Sequence, residues 1–190
     1  MEIALVVPIF KRGDRSHPSN YRPMFLPCIV SKVQERIFFN KLYRFLHPIL
    51  SLHQSGFRKA DGTEYQLVRF VQRWSELLDS SQYVGLVFFD LQKVFDKVWH
   101  RGLLAKLQAT GNTAKALAWF QDFLSHRCQC TLVSHAVSNE LSPYAGVPQG
   151  AKLSPLQFLL YVKDLPDAVS SGAGRKPFFA DDTSLFVSGK

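Results

Sequence analysis

Short apolar runs, separated by polar segments that contain glycine or proline, divide this 190-residue chain into predicted strands and helices. Residues 84–90 form a β-branched and aromatic run that ends in Asp90, and they predict a buried strand. Residues 178–187 place two apolar stretches on either side of an acidic pair, which predicts a hairpin with the acids at its tip. Further strands are predicted at 3–10, at 129–134 and in the segment before Ala145.

Helices are predicted between these strands, at 32–46, 64–78, 101–109, 114–125 and 154–163. Side-chain caps are predicted at four of their starts: Ser31 with Gln34, Thr63 with Gln66, Thr113, and Ser154 followed by Pro155. The basic, turn-rich segments 11–23 and 53–62 are predicted to be loops. Because strands and helices are mixed without a repeat or a linker, we expect an α+β fold with no domain boundary inside the chain.

The positive charge of the chain is concentrated near its N-terminus. The formal net charge is +8, and residues 1–73 contain 12 Lys or Arg and 5 Asp or Glu, whereas residues 74–190 contain 11 and 10. This distribution favours an N-terminal region that faces the phosphates of a polyanion, although a solvated basic surface would have the same composition.

The cysteines and the hydropathy exclude several classes of protein. Three cysteines without a CxxC pair support neither a disulfide framework nor a zinc site, and they are typical of a reducing compartment. No apolar run is long enough to span a membrane, and the run at 3–10 lacks the basic flank of a signal peptide. We therefore expect a soluble, intracellular protein that does not contact a membrane.

Three acidic residues stand at the ends of predicted strands: Asp90, Asp181 and Asp182. An acid at a strand end can reach a metal ion while the strand stays buried, and Mg²⁺ binds a few carboxylates together with water and phosphate oxygens. Two such ions, about 3.5–4 Å apart, can hold the attacking and leaving oxygens of a phosphoryl transfer. Because Asp pairs are also common in simple turns, the residues alone leave a metal site and a turn as alternatives.

The chain carries six segments with a family resemblance: NYRP (20–23), SKVQERI (31–37), HQSGFRK (53–59), FFDLQKVFDKVWH (88–100), AGVPQGAKLSP (145–155) and FADD (179–182). The first three resemble fingers segments, and the last three resemble the three palm motifs, of reverse transcriptases from LINE-type (non-LTR) retrotransposons. The order of the segments agrees with that family along essentially the whole chain, although Ala151-Lys152 replaces a more usual small apolar pair.

The resemblance implies a right-hand polymerase palm, an antiparallel sheet packed on helices, with a helical and basic fingers region. It divides a partial reverse transcriptase domain, 1–190, into fingers at about 1–80 and palm at about 81–190. Because the chain ends eight residues after Asp182, we expect no thumb within it. The implied activity is that of an RNA-directed DNA polymerase, which joins a dNTP to a DNA primer on an RNA template with two Mg²⁺ ions, replaceable by Mn²⁺.

The resemblance also implies roles for particular residues around the nucleotide. Asp90, Asp181 and Asp182 would be the catalytic and metal-binding acids. Phe95 would abut the sugar and disfavour a 2′-hydroxyl, with a plain core aromatic as the alternative. Two further nucleotide contacts are implied by their motif: Gln149 and Gly150.

Four basic residues complete the implied site. Arg22 resembles the fingers arginine that lies over the incoming triphosphate, and Lys11 would help to neutralise the same phosphates. Arg58 and Lys59 are expected to contact the template or the primer. For each of these four residues, a solvated loop position is the alternative.

Three functions are compatible with these residues: an RNA-directed DNA polymerase or a part of one, a nucleic-acid-binding remnant without catalysis, and a translated relic without a function. The life cycle of a retroelement would imply a nuclear location, but the sequence contains no recognisable signal for it.

Overall fold

The computed structural model describes residues 2–51, 54–59, 61–111, 113–165, 178–179 and 182–189. Its strands are β1 (Glu2–Phe10), β2 (Tyr21–Leu26), β3 (Gln54–Ser55), β4 (Tyr83–Asp90), β5 (Arg127–Val133), β6 (Ala136–Val137), β7 (Phe178–Phe179) and β8 (Asp182–Gly189). Its α-helices are α1 (Ile29–Leu46), α2 (Thr63–Asp79), α3 (His100–Ala109), α4 (Ala114–Ser125) and α5 (Ser154–Tyr161). The predicted α+β class is confirmed.

The first sheet has the strand order β2-β1-β5-β6, with β1 antiparallel to β2 and parallel to β5. The predicted loop at 11–23 is wrong at its end, because residues 21–23 belong to β2. Pro23 is tolerated because β2 is the edge strand. Its ring nitrogen, which carries no hydrogen, lies on the same side of the strand as the Phe25 N–H, and this side faces away from β1. Pro8 lies opposite Pro23, beyond the last residue pair of β1 and β5.

The second sheet has the order β3-β7-β8-β4, and β4 pairs antiparallel with β8 along its whole length. The predicted hairpin is confirmed in its backbone, since Phe179 pairs with Asp182. The predicted loop at 53–62 contains the short strand β3. The expected burial of β4 is wrong: Phe88 is 66% exposed, and exposed residues alternate onto both faces of the strand, so neither face is covered as a buried strand requires.

Three of the four predicted helix caps are wrong, and two of these belong to α1 and α2, which begin earlier than predicted. Helix α1 begins three residues earlier than predicted, and the Cys28 thiol accepts a hydrogen bond from the Ser31 N–H, so Ser31 lies inside the helix. Helix α2 begins at Thr63 itself, with Gly62 in the cap position. In both cases the residue type suited a cap, but the backbone continues as helix through it.

The other two predicted caps have different outcomes. The Thr113 hydroxyl accepts from the Ala116 N–H at 3.3 Å and begins α4 as predicted. The predicted cap Ser154 is already helical in α5, and Leu153 occupies the cap position. Pro155 lies in the first turn, where its missing N–H costs nothing.

The main hydrophobic core is formed by α1, α3, α4 and α5 together with the segments that precede α3 and α5. Helix α5 is at its centre, and most of its side chains are buried. A smaller cluster lies under the first sheet: Ala4, Val6, Phe25 and Ala151. The core therefore holds the 145–155 segment between α1 and the first sheet.

Two further observations concern the cysteines and the hydropathy of the helices. Cys28, Cys128 and Cys130, all in the described part of the chain, are not joined in disulfides. Within the described ranges, none of the helices combines the length and the hydropathy that a membrane crossing needs.

Candidate active site

Two acids of the predicted site meet across the second sheet. Asp90 is the last residue of β4, Asp182 is the first residue of β8, and the two are Cα partners in the antiparallel register. Directly opposed residues in such a pair have Cα atoms about 4.5–5.5 Å apart. The side chain of Asp90 is exposed, and Asp181 lies outside the described residues.

The carboxylates of aspartate residues such as Asp90 and Asp182 are the kind of ligand that Mg²⁺ prefers, since hard oxygen ligands suit that ion. Within the described ranges, no three His, Cys, Asp or Glu side chains stand close enough to hold a metal ion. The structure thus brings together the backbones of Asp90 and Asp182, and the complete ligand set stays a prediction.

Phe95 lies on the segment that connects β4 to α3, at the border of the core. Its ring is partly buried and lies edge-to-face with Phe57, with ring centroids 5.8 Å apart, and tilted against Phe158 at 5.4 Å. Its carbonyl accepts from the Val147 N–H at 2.7 Å. Phe95 therefore both packs on the core and touches the loop that carries Gln149.

The 145–150 loop is hydrogen-bonded along one side to the segment that follows Asp90. The Gly146 N–H donates to the Val98 carbonyl at 2.8 Å, and His100 Nε2 lies 2.7 Å from the Gly146 carbonyl oxygen. Gly146 has φ +91°, and a Cβ on it would lie 2.8 Å from the Asp96 carbonyl oxygen. Only glycine fits this close approach.

Gln149 connects two parts of the structure. Its side-chain Nε2 donates to Asp96 Oδ1 at 2.9 Å, and its carbonyl accepts from the Phe25 N–H of β2 at 2.8 Å. Because a carboxylate only accepts, this contact directs the amide Nε2 toward Asp96. Gly150 has φ +105°, and a Cβ there would lie 2.9 Å from Met24 Sδ.

Lys11 and Arg22 lie near the loop end of the β1–β2 hairpin. Both are exposed, the Lys11 N–H donates to the Asn20 carbonyl at 2.8 Å, and Arg22 lies opposite Ile9. Directly opposed residues of neighbouring strands share a face, so Arg22 is on the same face as Ile9, while Lys11 follows the last residue of β1.

The loop between β1 and β2 is held by its single acid, Asp14. The Ser16 N–H donates to Asp14 Oδ1 at 2.9 Å, and this bond lowers the pKa of the Asp14 carboxyl below its ordinary value. The Asn20 side chain donates to the Asp14 carbonyl, and the Arg15 guanidinium lies 4.9 Å from the centroid of the Phe10 ring. Hydrogen bonds thus fix the backbone of the loop that carries these basic side chains.

Arg58 and Lys59 both form hydrogen bonds to other residues of the chain. Arg58 Nη1 donates to the Ser51 carbonyl at 2.8 Å and to the Gln54 carbonyl at 3.3 Å. The Lys59 N–H donates to the Tyr43 hydroxyl, and Lys59 Nζ lies 5.3 Å from the centroid of the same ring. These contacts give Arg58 a structural role within its own loop.

A cavity of about 620 Å³ lies beside Gln149, between the first sheet and the 141–149 segment. Its lining includes Pro23, Phe25, Asp96, Arg127, Tyr144 and Gln149. The Arg127 guanidinium lies over the rings of Phe25 and Phe123. It therefore forms part of the cavity wall.

The family is decided by comparison with known proteins. Residues 9–190 match the family model described as reverse transcriptase (RNA-dependent DNA polymerase). The chain belongs to the reverse transcriptase family. The predicted resemblance is therefore confirmed.

Curated relatives of this reverse transcriptase chain come from non-LTR retrotransposons. A probable RNA-directed DNA polymerase from transposon X-element of Drosophila melanogaster is 34% identical over 97% of this chain and 21% of its own length. An RNA-directed DNA polymerase from mobile element jockey of the same organism is 30% identical over 98% of this chain and 21% of its own length. The chain thus spans about a fifth of the length of the curated relatives it matches.

Solved structures share the fold of this reverse transcriptase chain. An apo telomerase from Candida tropicalis has a TM-score of 0.68 at 14% identity, covering 100% of this chain and 44% of the telomerase chain. A partial Cas6-RT-Cas1–Cas2 complex has a TM-score of 0.51 at 18% identity, covering 98% of this chain and 30% of its own. At these identities the likeness concerns the fold alone.

Sequence reasoning missed one residue of this reverse transcriptase chain that the structure places next to the 145–150 loop. Glu35 on α1 is only 3% exposed, and its Oε2 accepts from the Lys152 N–H at 2.6 Å and from the Leu153 N–H at 3.4 Å. A signal was present, because Glu35 precedes Leu42 by seven residues and so lies on the apolar face of α1.

Proposed function

We propose that this chain performs templated nucleotidyl transfer as part of an RNA-directed DNA polymerase. The 3′-hydroxyl of a DNA primer on an RNA template attacks the α-phosphorus of a dNTP, the new phosphodiester bond forms, and pyrophosphate leaves. The hydroxyl proton passes to solvent. The observation that carries the proposal is the β4–β8 register, which pairs Asp90 with Asp182 where β4 ends and β8 begins. Membership of the reverse transcriptase family supports it.

Asp90, Asp181 and Asp182 would hold two Mg²⁺ ions, or Mn²⁺ in their place. Like charges placed directly opposite each other destabilise a strand pair, so a divalent cation would relieve the repulsion between Asp90 and Asp182. The exposure of Asp90 leaves room for phosphate and water oxygens to complete the ligand shell. Bound there, the ions would stabilise the charge on the attacking and leaving oxygens.

Phe95, Gln149 and Gly150 would bind and orient the nucleotide. Gln149 donates through Nε2 to Asp96, which leaves its Oε1 to accept a hydrogen bond from a sugar hydroxyl or a base amino group. The backbone of Gly150, with no Cβ, allows a close approach. Phe95 packs against the rings of Phe57 and Phe158, so its position against a sugar would be fixed.

The basic residues would bind phosphates and nucleic acid. Lys11 and Arg22, both near the loop end of the β1–β2 hairpin, would approach the triphosphate. Lys59 would contact the template or primer, and Arg58 would act there mainly by holding its loop. With this division, residues at about 1–80 would serve as fingers and residues at about 81–190 as palm.

Phe95→Val is expected to relax the choice between dNTP and rNTP. We expect the ratio of kcat/KM values for dNTP over rNTP to fall roughly tenfold to 200-fold, because the shorter side chain leaves space for a 2′-hydroxyl. Single-nucleotide incorporation kinetics with matched dNTP and rNTP measure this ratio. Phe123→Val, a partly buried core position on α4, is the control for lost packing and should leave the ratio unchanged. An unchanged ratio in the Phe95 variant would identify Phe95 as a core aromatic only.

Primer extension on a primed RNA template tests the proposed function directly. The 190-residue chain is incubated with dNTPs and Mg²⁺, with Mn²⁺, and with a chelator, while fluorescence anisotropy measures its binding to the same primer-template. We expect extension that depends on the divalent ion and binding that weakens as salt is raised. Binding without extension in a cooperatively folded chain would favour the nucleic-acid-binding remnant, and the absence of a cooperative melt would favour the relic.

A further inference from the structure

The loop that carries Gln149 is followed at once by two backbone N–H groups that a buried carboxylate binds. Glu35 Oε2 accepts from Lys152 at 2.6 Å and from Leu153 at 3.4 Å, and Leu153 is the residue before α5. No side chain of the cap position itself bonds to the start of α5. A carboxylate near a helix N-terminus is also favoured by the helix dipole.

Lys152 is attached to α1 by its side chain as well as its backbone. Lys152 Nζ lies 5.0 Å from the centroid of the Phe39 ring, and Phe39 is one helical turn after Glu35. Residue 152 therefore lies along α1, with its N–H on Glu35 and its ammonium group over Phe39. Charge-assisted hydrogen bonds of this kind are roughly twice as strong as neutral ones.

We propose that Glu35 is a positioning residue that fixes Gln149 and Gly150 for the nucleotide by anchoring the chain immediately after them to α1. This inference rests on the proposed role of Gln149 in binding the nucleotide. Upstream, the loop is fixed by Asp96 and by the Phe25 N–H, which both bond to Gln149. Glu35 supplies the fixed point on the other side, two to three residues after Gly150.

The chemistry of a Glu35→Gln substitution makes the proposal testable. The glutamine amide has the same shape, but it replaces a charged acceptor by a neutral one and can direct an N–H group toward the N–H groups of Lys152 and Leu153. The loop after Gly150 would then lose its strongest attachment to α1. A displacement of about 1 Å at a substrate-positioning residue can reduce a rate about a hundredfold.

The experiment measures kcat/KM for single-dNTP incorporation in the parent, Glu35→Gln, Gln149→Ala and the double variant. We expect roughly a tenfold to hundredfold loss for Glu35→Gln and no further loss when it is added to Gln149→Ala. Additive losses in this cycle would overturn the proposal, because Glu35 would then act independently of Gln149. Glu76→Gln, at an exposed acid paired with Arg73 on α2, is the matched control and should stay within about twofold of the parent.

Amide hydrogen exchange provides a readout that does not need activity. In Glu35→Gln we expect faster exchange at Lys152 and Leu153, while the buried α3 residues Leu103 and Leu107 keep their protection. Unchanged exchange at Lys152 and Leu153 would overturn the proposal. If the parent itself does not extend a primer, the proposed function fails, and the exchange result alone decides whether Glu35 anchors this loop.

A second variant, Glu35→Asp, tests the proposal if the Glu35→Gln protein does not melt cooperatively. Glu35→Asp keeps the charge but is one methylene shorter, so it should loosen Lys152 and Leu153 less than glutamine does and lose less kcat/KM. An Asp variant that keeps parental exchange at both amides and still loses kcat/KM would contradict the proposal, because the loss would then not come from a loosened loop.

Discussion

Primer extension is expected to disappear when Asp90 and Asp181 are both replaced by asparagine. We expect a loss of more than roughly a thousandfold in kcat, because neutral amides cannot hold the divalent ions that stabilise the attacking and leaving oxygens. The fold should survive, since Asp90 is exposed and its substitution removes the repulsion with Asp182, which lies opposite it in β8. Incorporation of a radiolabelled dNTP measures the activity, and urea denaturation measures the free energy of unfolding.

A matched control separates metal binding from net charge. Asp79→Asn together with Asp122→Asn makes the same change in charge at exposed positions on α2 and α4, so it should keep extension. Both double variants should bind primer-template at least as tightly as the parent, because a negative charge near phosphates has been removed. Extension by the Asp90→Asn, Asp181→Asn protein would show that these acids do not carry the reaction.

Local patterns predicted the elements that local forces determine. The apolar runs located β1, β4 and β8, since a strand needs only a short run of suitable residues bounded by turn residues. Thr113 was predicted as a cap because a hydroxyl reaches the N–H three residues later without help from the rest of the chain. An acid was predicted at the end of each of these strands, and the register places Asp90 opposite Asp182 in the backbone.

Features that depend on distant parts of the chain could not be predicted. The Tyr21–Leu26 strand contains proline, and it forms because β1 offers a partner and leaves the other edge open. The cap residue Leu153 has no capping side chain, and the acid that binds its N–H comes from α1, 118 residues earlier. The exposure of β4 depends on what packs against its two faces, which an apolar run does not reveal.

Gly146→Ala is expected to be the most destabilising of the single glycine substitutions in the 145–150 loop. The positive φ costs an alanine about 1–2 kcal/mol, and its Cβ would lie 2.8 Å from the Asp96 carbonyl oxygen, which cannot rotate away because it is backbone. Forcing the two segments apart adds about 1–3 kcal/mol, so we expect a total loss of about 3 kcal/mol. Urea denaturation followed by circular dichroism measures this loss, and primer extension should fall with it because Gln149 moves.

Gly111→Ala is the control that isolates the close approach. Gly111 has φ +83°, nearly the same as Gly146, but a Cβ on it would have no described heavy atom within 4 Å. Gly111→Ala should therefore lose only about 1–2 kcal/mol of unfolding free energy, from the positive φ, and keep the activity of the parent. Equal losses in the two variants would mean that the 145–150 loop does not press against Asp96. A larger loss at Gly146 alone would mean that the loop carrying Gln149 and the segment carrying Phe95 form one packed unit, held together before any nucleotide arrives.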